Sequence, residues 1–588
     1  MKALLYLNKF FYKYKYRLLF GVICTIVARI LSLYAPQYVR ESLNVVEKYL
    51  SHEITDINLV KRELFISFLI IIGTALLSAF FTFWMRQMII VVSRYIEYDL
   101  KNEIFEQYER LSLGFYKKNR IGDLMNRISE DVTNVRSYFG PAIMYSINMI
   151  TLFVIVITYM LRQDHVLTLY TLLPLPVLSI SIYILSRVIN KRSRIRQEYL
   201  SKLTAFTQEF FSGINVIKAY GIEKYSLTDF NELADTSKEK NISLYKANAL
   251  FGPLMILLIG ASNTLVIFIG GLRYINGQIE NIGIIAEFMI YVNMLTWPVA
   301  ALGWITSIVQ VAEASQKRIN EFLLVKPDIK NATTEEITLK GQIAFRNVTF
   351  QYEDTNITAL KNVSFTIDSG KTLAILGRTG SGKSTIAQLI ARLYDVDTGE
   401  ILIDNKPIRS INVTSLREQI GFVPQEAFLF SDTIRNNIKF GNANADDEAV
   451  VNAAKTAHIH NNIMDFTNQY DTIVGERGVT LSGGQKQRVS IARAIIKDPV
   501  IYIFDDCLSA VDTETEEIIL NNLQKASKNK TTIIISHRVS TVKNADHIIV
   551  LDKGTIVQEG NHQTLINKTG YYQLLYNQQL LEQARHEI

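Results

Sequence analysis

Six stretches of this 588-residue chain run almost without charge, and they constrain the fold more than anything else in it. They are Leu18 to Val39, interrupted by Arg29, then Leu64 to Met85, Ser137 to Leu161, Val166 to Ser186, Ala247 to Leu272 and Phe288 to Ala312. Each reaches the roughly 20 residues that a helix needs to cross a bilayer. Because the hydrocarbon core offers no water to backbone N–H and C=O groups, such stretches are expected to be helices, giving a bundle of six transmembrane helices. An even number of crossings puts both ends of the bundle on one side. The basic segments "YKKNR" (Tyr116 to Arg120) and "NKRSRIRQEY" (Asn190 to Tyr199) fall between spans on that same side, which predicts a cytoplasmic location for them and for both termini. Ahead of the first span, "MKALLYLNKFFYKYKYRLLF" interleaves Lys with Leu, Tyr and Phe, the pattern of a helix lying in the membrane interface.

Charge inside such a bundle is costly. Arg29 and Arg86 are expected either to line a cavity and meet an anionic substrate or to form an interhelical ion pair or snorkel to the interface. Trp297 next to Pro298 predicts a local kink in the last span. The formal net charge of +6 is modest for this length and gives no argument for nucleic-acid binding. The two cysteines, Cys24 and Cys507, lie far apart in unlike segments, so neither a disulfide framework nor a thiolate metal cluster is expected.

The second half reads differently. After the polar linker "KPDIKNATTEEITLK" (326–340), short apolar runs alternate with charged and Gly-containing turns, as in a soluble α/β domain. The expected division is therefore 1–325 for the membrane part and 341–588 for the α/β part. Within the latter, "GRTGSGKST" comprises Gly377, Arg378, Thr379, Gly380, Ser381, Gly382, Lys383, Ser384 and Thr385. It fits the Gly-x-x-x-x-Gly-Lys-Ser/Thr phosphate loop and stands between an apolar strand, "TLAIL", and an apolar helical stretch. Glycines there let backbone N–H groups cradle a phosphate, Lys383 pairs with the outer phosphates, and Ser384 can bind Mg²⁺. Further on, "IYIFDDCLSAVD" is a strand-like run that ends on two carboxylates, Asp505 and Asp506. Asp505 is expected beside the phosphate loop as a metal ligand, and Asp506 where a water meets the terminal phosphate.

At this point the chain resembles bacterial ATP-binding cassette exporter subunits of the multidrug or lipid type, in which a six-helix membrane domain is fused to a P-loop nucleotide-binding domain. "LSGGQKQR" (Leu481 to Arg488), with Ser482, Gly483, Gly484 and Gln485, matches the signature of that family. The resemblance implies that this face completes the ATP site of a second subunit, so that the protein works as a dimer. It also implies that Tyr352 in "FQY" stacks on adenine and that Gln425 in "GFVPQ" senses Mg²⁺ and the attacking water. His537 in "ISHR" would contact the γ-phosphate. "VGERG" (Val474 to Gly478) resembles the segment that meets cytoplasmic loops in exporters, and "SAVD" (Ser509 to Asp512) the loop linking two ATP sites. In the membrane half, Phe115 to Val132 and Gly213 to Tyr225 resemble the intracellular loops that carry short coupling helices. The implied setting is the inner membrane of a bacterium, with ATP and Mg²⁺ as cofactors.

The departure is Asp506. The family usually carries Glu there, and losing one methylene moves the carboxylate about 1–1.5 Å from the water. Two consequences stay open from the sequence: a homodimer with two slow sites, or an ATP-binding, weakly hydrolysing subunit of a heterodimer. A nucleotide-gated channel or regulator is a further alternative. A soluble ATPase of chromosome maintenance is excluded by the six spans.

Overall fold

The computed structural model describes residues 2–475, 478, 480–508, 511 and 513–586. The chain forms two compact units. One comprises Met1–Gln107 and Gly122–Val325, the other Tyr108–Ile121 and Lys326–Ile588.

The described elements of the first unit are helical. Five stretches are long and apolar enough to cross a membrane among the described residues: Lys15–Leu50, Ile57–Arg110, Ile121–Gln163, Glu223–Ile275 and Gly283–Leu323. The remaining expected span, 166–186, runs through His165–Leu172 and Pro174–Ser212, with Pro174 at a helix start where its missing N–H is no loss. Ile57–Arg110 is one helix of 54 residues. At 1.5 Å per residue it is about 80 Å long, far beyond a hydrocarbon core of about 30 Å. The expected second span is thus only its first part, and the polar continuation stays helical. Gly283–Leu323 likewise continues as helix through Pro298, where a kink was expected.

Polar groups inside this unit are paired in ways the sequence did not reveal. Glu287 is fully buried, accepting from Arg40 Nη1 at 2.9 Å and from the Tyr291 hydroxyl at 2.6 Å. This clamps Tyr34–Leu50 to the last long helix. Removing one member of such a buried pair strands the other charge, at a typical cost of about 3–5 kcal/mol. Asp164 caps His165–Leu172 and pairs with Arg273 at 2.9 Å. Arg29 Nε donates to Asn148 Oδ1 at 2.5 Å, so its interhelical partner is an amide and not the carboxylate of the expected ion pair. Arg86 is exposed on its helix.

Among the described residues the second unit contains ten strands: β1 (Ile343–Tyr352), β2 (Ile357–Ile367), β3 (Thr372–Gly377), β4 (Thr398–Ile403), β5 (Lys406–Pro407), β6 (Ile420–Val423), β7 (Ile501–Asp505), β8 (Thr531–Ile535), β9 (His547–Asp552) and β10 (Thr555–Gly560). One sheet has the order β2-β1-β4-β5 and is antiparallel. The other has the order β10-β9-β3-β8-β7-β6, with β6, β7, β8, β3 and β9 parallel and β10 antiparallel at the edge. All five residues of β7 are buried, which explains why its sequence is continuously apolar and does not alternate: a parallel strand inside a sheet is covered on both faces. One apolar cluster joins the two sheets through Ile343, Phe345, Ile375, Ile503 and Ile533. A second packs Val489 and Ala492 of the signature helix against Ile434, Val450 and Phe504.

Candidate functional site

The parallel strands bring their carboxyl ends to one edge, the place where open α/β sheets hold ligands. β3 runs into the phosphate loop, β7 ends on Asp505, β8 runs into His537, and Gln425 follows β6. The spacing along the chain, 377 to 537, collapses to a single rim because β3, β8, β7 and β6 are consecutive in the sheet. β8 lies between β3 and β7, so the acid-bearing strand is not adjacent to the strand of the phosphate loop. The side chains meet nonetheless: Ser384 Oγ donates to Asp505 Oδ1 at 2.9 Å.

The loop's shape depends on its glycines. Gly377 and Gly382 have φ of 152° and 101°, and a Cβ on either would come within 2.2 Å of Leu551 O or 2.4 Å of Ala359 O. No other residue fits both positions. The turn hands over directly to the helix Lys383–Ile390, whose first N–H groups face the loop. Lys383 is buried and its Nζ donates to the carbonyls of Gly377 and Arg378, both at 2.9 Å. The ammonium is thereby held over the cradle in advance.

Electrostatically the site holds both signs of charge in a poorly solvated place. Burial pushes the Lys383 ammonium below the usual lysine range, against the attraction of Asp506 and Asp505. Burial pushes Asp505 above the usual carboxylate range, opposed by the Ser384 hydrogen bond, and pushes Asp506 up as well, opposed by His537, Lys383 and Arg538. His537 is held below the usual imidazole range by burial and by Lys383. Asp506 has φ of 44°, a left-handed conformation that Asp tolerates better than most residues. Its Oδ2 lies 3.5 Å from Gln425 Nε2 and 4.0 Å from His537 Nε2.

A cavity of about 400 Å³ gathers Tyr352, Thr379, Gly380, Gly382, Lys383, Ser384, Thr385, Gln425, Asp505, Asp506 and His537. Gly377, Arg378 and Ser381 shape the loop without lining the cavity, and the Ser381 hydroxyl is buried with no hydrogen-bond partner among the described residues. The donor set also fits Mg²⁺, which is commonly held by one or two carboxylates plus substrate phosphates: Asp505 and Ser384 stand together at the rim. The Tyr352 hydroxyl donates to Gln388 Oε1 at 3.1 Å and lies 3.0 Å from Thr385 Oγ1, which fixes its ring at the cavity mouth.

The signature residues are elsewhere. Ser482 caps the helix Gly483–Ile495 in a reciprocal capping box with Gln485, Oγ accepting from Gln485 N at 3.3 Å and Gln485 Oε1 accepting from Ser482 N at 2.9 Å. Ser482, Gly483, Gly484 and Gln485 do not line the cavity that holds the phosphate loop. Glu476 and Arg477 of "VGERG", and Ser509, Ala510 and Asp512 of "SAVD", lie outside the described residues.

Other residues at the site were not legible beforehand. Gln579, near the chain's end, receives Val539 N at 2.8 Å and donates to His537 O at 3.2 Å, bracing the histidine loop. Buried Glu516 binds both Arg538 and Thr541, tying the same loop to the helix Thr513–Ala526. Lys117 also lines the cavity.

A phosphate loop, an acid-tipped strand of the same sheet and a capped signature helix on one α/β unit, with membrane-spanning helices in the same chain, define a membrane-bound P-loop ATPase. Comparison with known proteins places it further. The family profile described as the ABC transporter transmembrane region matches residues 18–299, and that described as ABC transporter matches 360–509. The chain is 36% identical to the ABC transporter ATP-binding protein YknU of Bacillus subtilis over 82% of its length and 83% of that protein's. It is 34% identical to the multidrug resistance-like ATP-binding protein MdlA of Escherichia coli, covering 85% of each. It is 32% identical to an ATP-dependent lipid A-core flippase of Syntrophus aciditrophicus, covering 82% of this chain and 80% of that one. The structure of a bacterial Atm1-family ABC exporter with ATP bound superposes with a TM-score of 0.79 at 25% identity, covering 96% and 98% of the two chains. The chain belongs to the ABC transporter family: it binds ATP and couples its hydrolysis to transport across a membrane. Transporters of this architecture work as dimers.

Proposed function

We propose that the chain is a homodimeric exporter that moves an amphipathic small molecule, lipid or peptide out across a bacterial inner membrane by ATP-driven alternating access, with both termini in the cytoplasm. The convergence of Lys383, Ser384, Asp505 and Asp506 on one rim carries this reading. In it, Tyr352 stacks on adenine, the loop Gly377–Thr385 cradles the phosphates, and Ser384, Asp505 and Gln425 hold Mg²⁺. That ion, when bound, neutralises charge on the β- and γ-phosphates. Asp506 accepts a proton from the attacking water, oriented with Gln425, and His537 meets the γ-phosphate. Ser482 to Gln485 complete the partner's site through the N–H groups of a helix start. ATP closes the paired nucleotide domains, the loop helices Leu113–Lys118 and Ile214–Tyr220 transmit the closure, and the membrane cavity turns outward. The assignments carried by the Escherichia coli and Syntrophus relatives, drug-resistance-like and lipid-flipping, support an amphipathic cargo.

A second reading rests on Asp506: a site one methylene short binds ATP and turns it over poorly, as in the weaker half of a heterodimer or in a nucleotide-gated channel. Flux separates these readings. Purified chain reconstituted alone in inside-out proteoliposomes should accumulate a fluorescent amphiphile against its gradient when ATP is added outside, and should not do so as Lys383→Ala. ATP-dependent flux that only dissipates a gradient would support the channel. Accumulation that requires a second, different subunit would support the heterodimer.

A further inference from the structure

The cavity contains one cation that the nucleotide machinery does not explain. The short helix Leu113–Lys118 belongs to the same compact unit as the phosphate loop. Two contacts hold its ends: Ser112 Oγ donates to Asp328 Oδ2 at 2.5 Å, and Lys118 Nζ to Glu353 Oε2 at 2.5 Å. Between these anchors, Lys117 Nζ lies 4.6 Å from the centroid of the Tyr352 ring and 5.3 Å from that of Tyr394. The two rings stand at 90° to one another, so the ammonium sits in the corner they form. Lys117 and Tyr352 both line the cavity of the phosphate loop, so the ammonium and a base bound there would meet the same ring.

A cation within 6 Å of a ring centroid is held by the negative face of the π system. A purine stacks on such a face at about 3.5 Å, the ordinary contact distance between carbon atoms. One face of the ring cannot hold both. Tyr352 cannot turn aside to accommodate them, because its hydroxyl is fixed by Gln388 and Thr385 and its edge is packed against Phe350 at a centroid distance of 4.9 Å.

We propose that Lys117 competes with the nucleotide base for the face of Tyr352, so that adenine binding displaces the ammonium and releases that contact of the helix Leu113–Lys118. The proposal rests on the reading that Tyr352 stacks the base. It makes Lys117 a specificity residue acting on the base and not on the phosphates, and it gives the first loop a direct report of whether a base is bound. The chain continues from both ends of Tyr108–Ile121 into the membrane-spanning unit, and with Ser112 and Lys118 keeping their own contacts, what the base releases is the Lys117 contact alone.

The test is calorimetric binding to the full chain in nanodiscs, with EDTA present to prevent turnover, using ATP and inorganic tripolyphosphate as probes. Lys117→Ala should tighten ATP binding by about two- to fivefold, the factor that an exposed cation–π contact carries. Tripolyphosphate affinity should not change, and Lys117→Arg should keep the unmodified ATP affinity. In a Tyr352→Leu background, Lys117→Ala should have no effect, because the two changes share one contact. Unchanged or weaker ATP binding by Lys117→Ala would overturn the competition, and so would an equal shift for tripolyphosphate. If Tyr352→Leu alone left ATP binding intact, base stacking itself would be wrong, an outcome read independently of Lys117.

Discussion

Lys383→Ala should lower ATP turnover by about 10²–10³-fold, the loss typical of removing one preorganised charge donor from a developing oxyanion. The reason lies in where the ammonium already is. It is buried, and its Nζ is tied to the carbonyls of Gly377 and Arg378, so no reorganisation is needed when phosphate oxygens arrive. Burial also weakens its hold on its proton, which makes an anionic ligand a better partner than solvent. The change leaves Ser384 and Asp505 in contact, so the unit should remain folded. Phosphate release from the variant in nanodiscs, beside a thermal unfolding curve that moves by only a few degrees, checks both halves of the statement. Turnover within tenfold of the unmodified chain would mean that the loop, and not its lysine, carries the phosphates.

Asp506→Glu should act in the opposite direction, raising turnover by about 10- to 100-fold. Gln425 Nε2 and His537 Nε2 lie 3.5 and 4.0 Å from the Asp506 carboxylate, both longer than a good hydrogen bond. One added methylene extends the carboxylate toward the space between them. There is a cost: a φ of 44° suits Asp better than Glu, and a side chain held in a sparse region of backbone space pays on the order of 1 kcal/mol in stability. A faster enzyme that unfolds slightly earlier is therefore the expected pair of results. Asp506→Asn should be slower than the unmodified chain, since a neutral amide cannot accept the proton. If Asp506→Glu were no faster, the short side chain would be matched to its own geometry and would not be a deficit.

Much of this site was legible because its chemistry is local in sequence. The phosphate loop is a contiguous turn whose glycines are dictated by Leu551 O and Ala359 O, and the signature caps its own helix within four residues. The spans were legible because a bilayer sets a length. What could not be read was long-range. Arg40 and Glu287 are 247 residues apart, and Lys118 and Glu353 are 235 apart; no spacing rule connects such pairs. Lys117 looked like one basic residue among several in "YKKNR", and only its position over Tyr352 makes it distinctive. The polar continuation of Ile57–Arg110 is not legible from hydropathy, because the apolar run ends where the lipid does, while the helix does not. Neighbourhood in the sheet was also invisible, since β8, far along the chain, inserts between β3 and β7.

The central claim is that this chain, paired with itself, makes working if slow ATP sites. The most direct measurement is steady-state ATP turnover of the purified chain alone in nanodiscs, with the number of chains per particle determined by mass photometry. The account predicts slow but measurable turnover confined to particles with two chains. Two-chain particles that hydrolyse no ATP, even as Asp506→Glu, would contradict it.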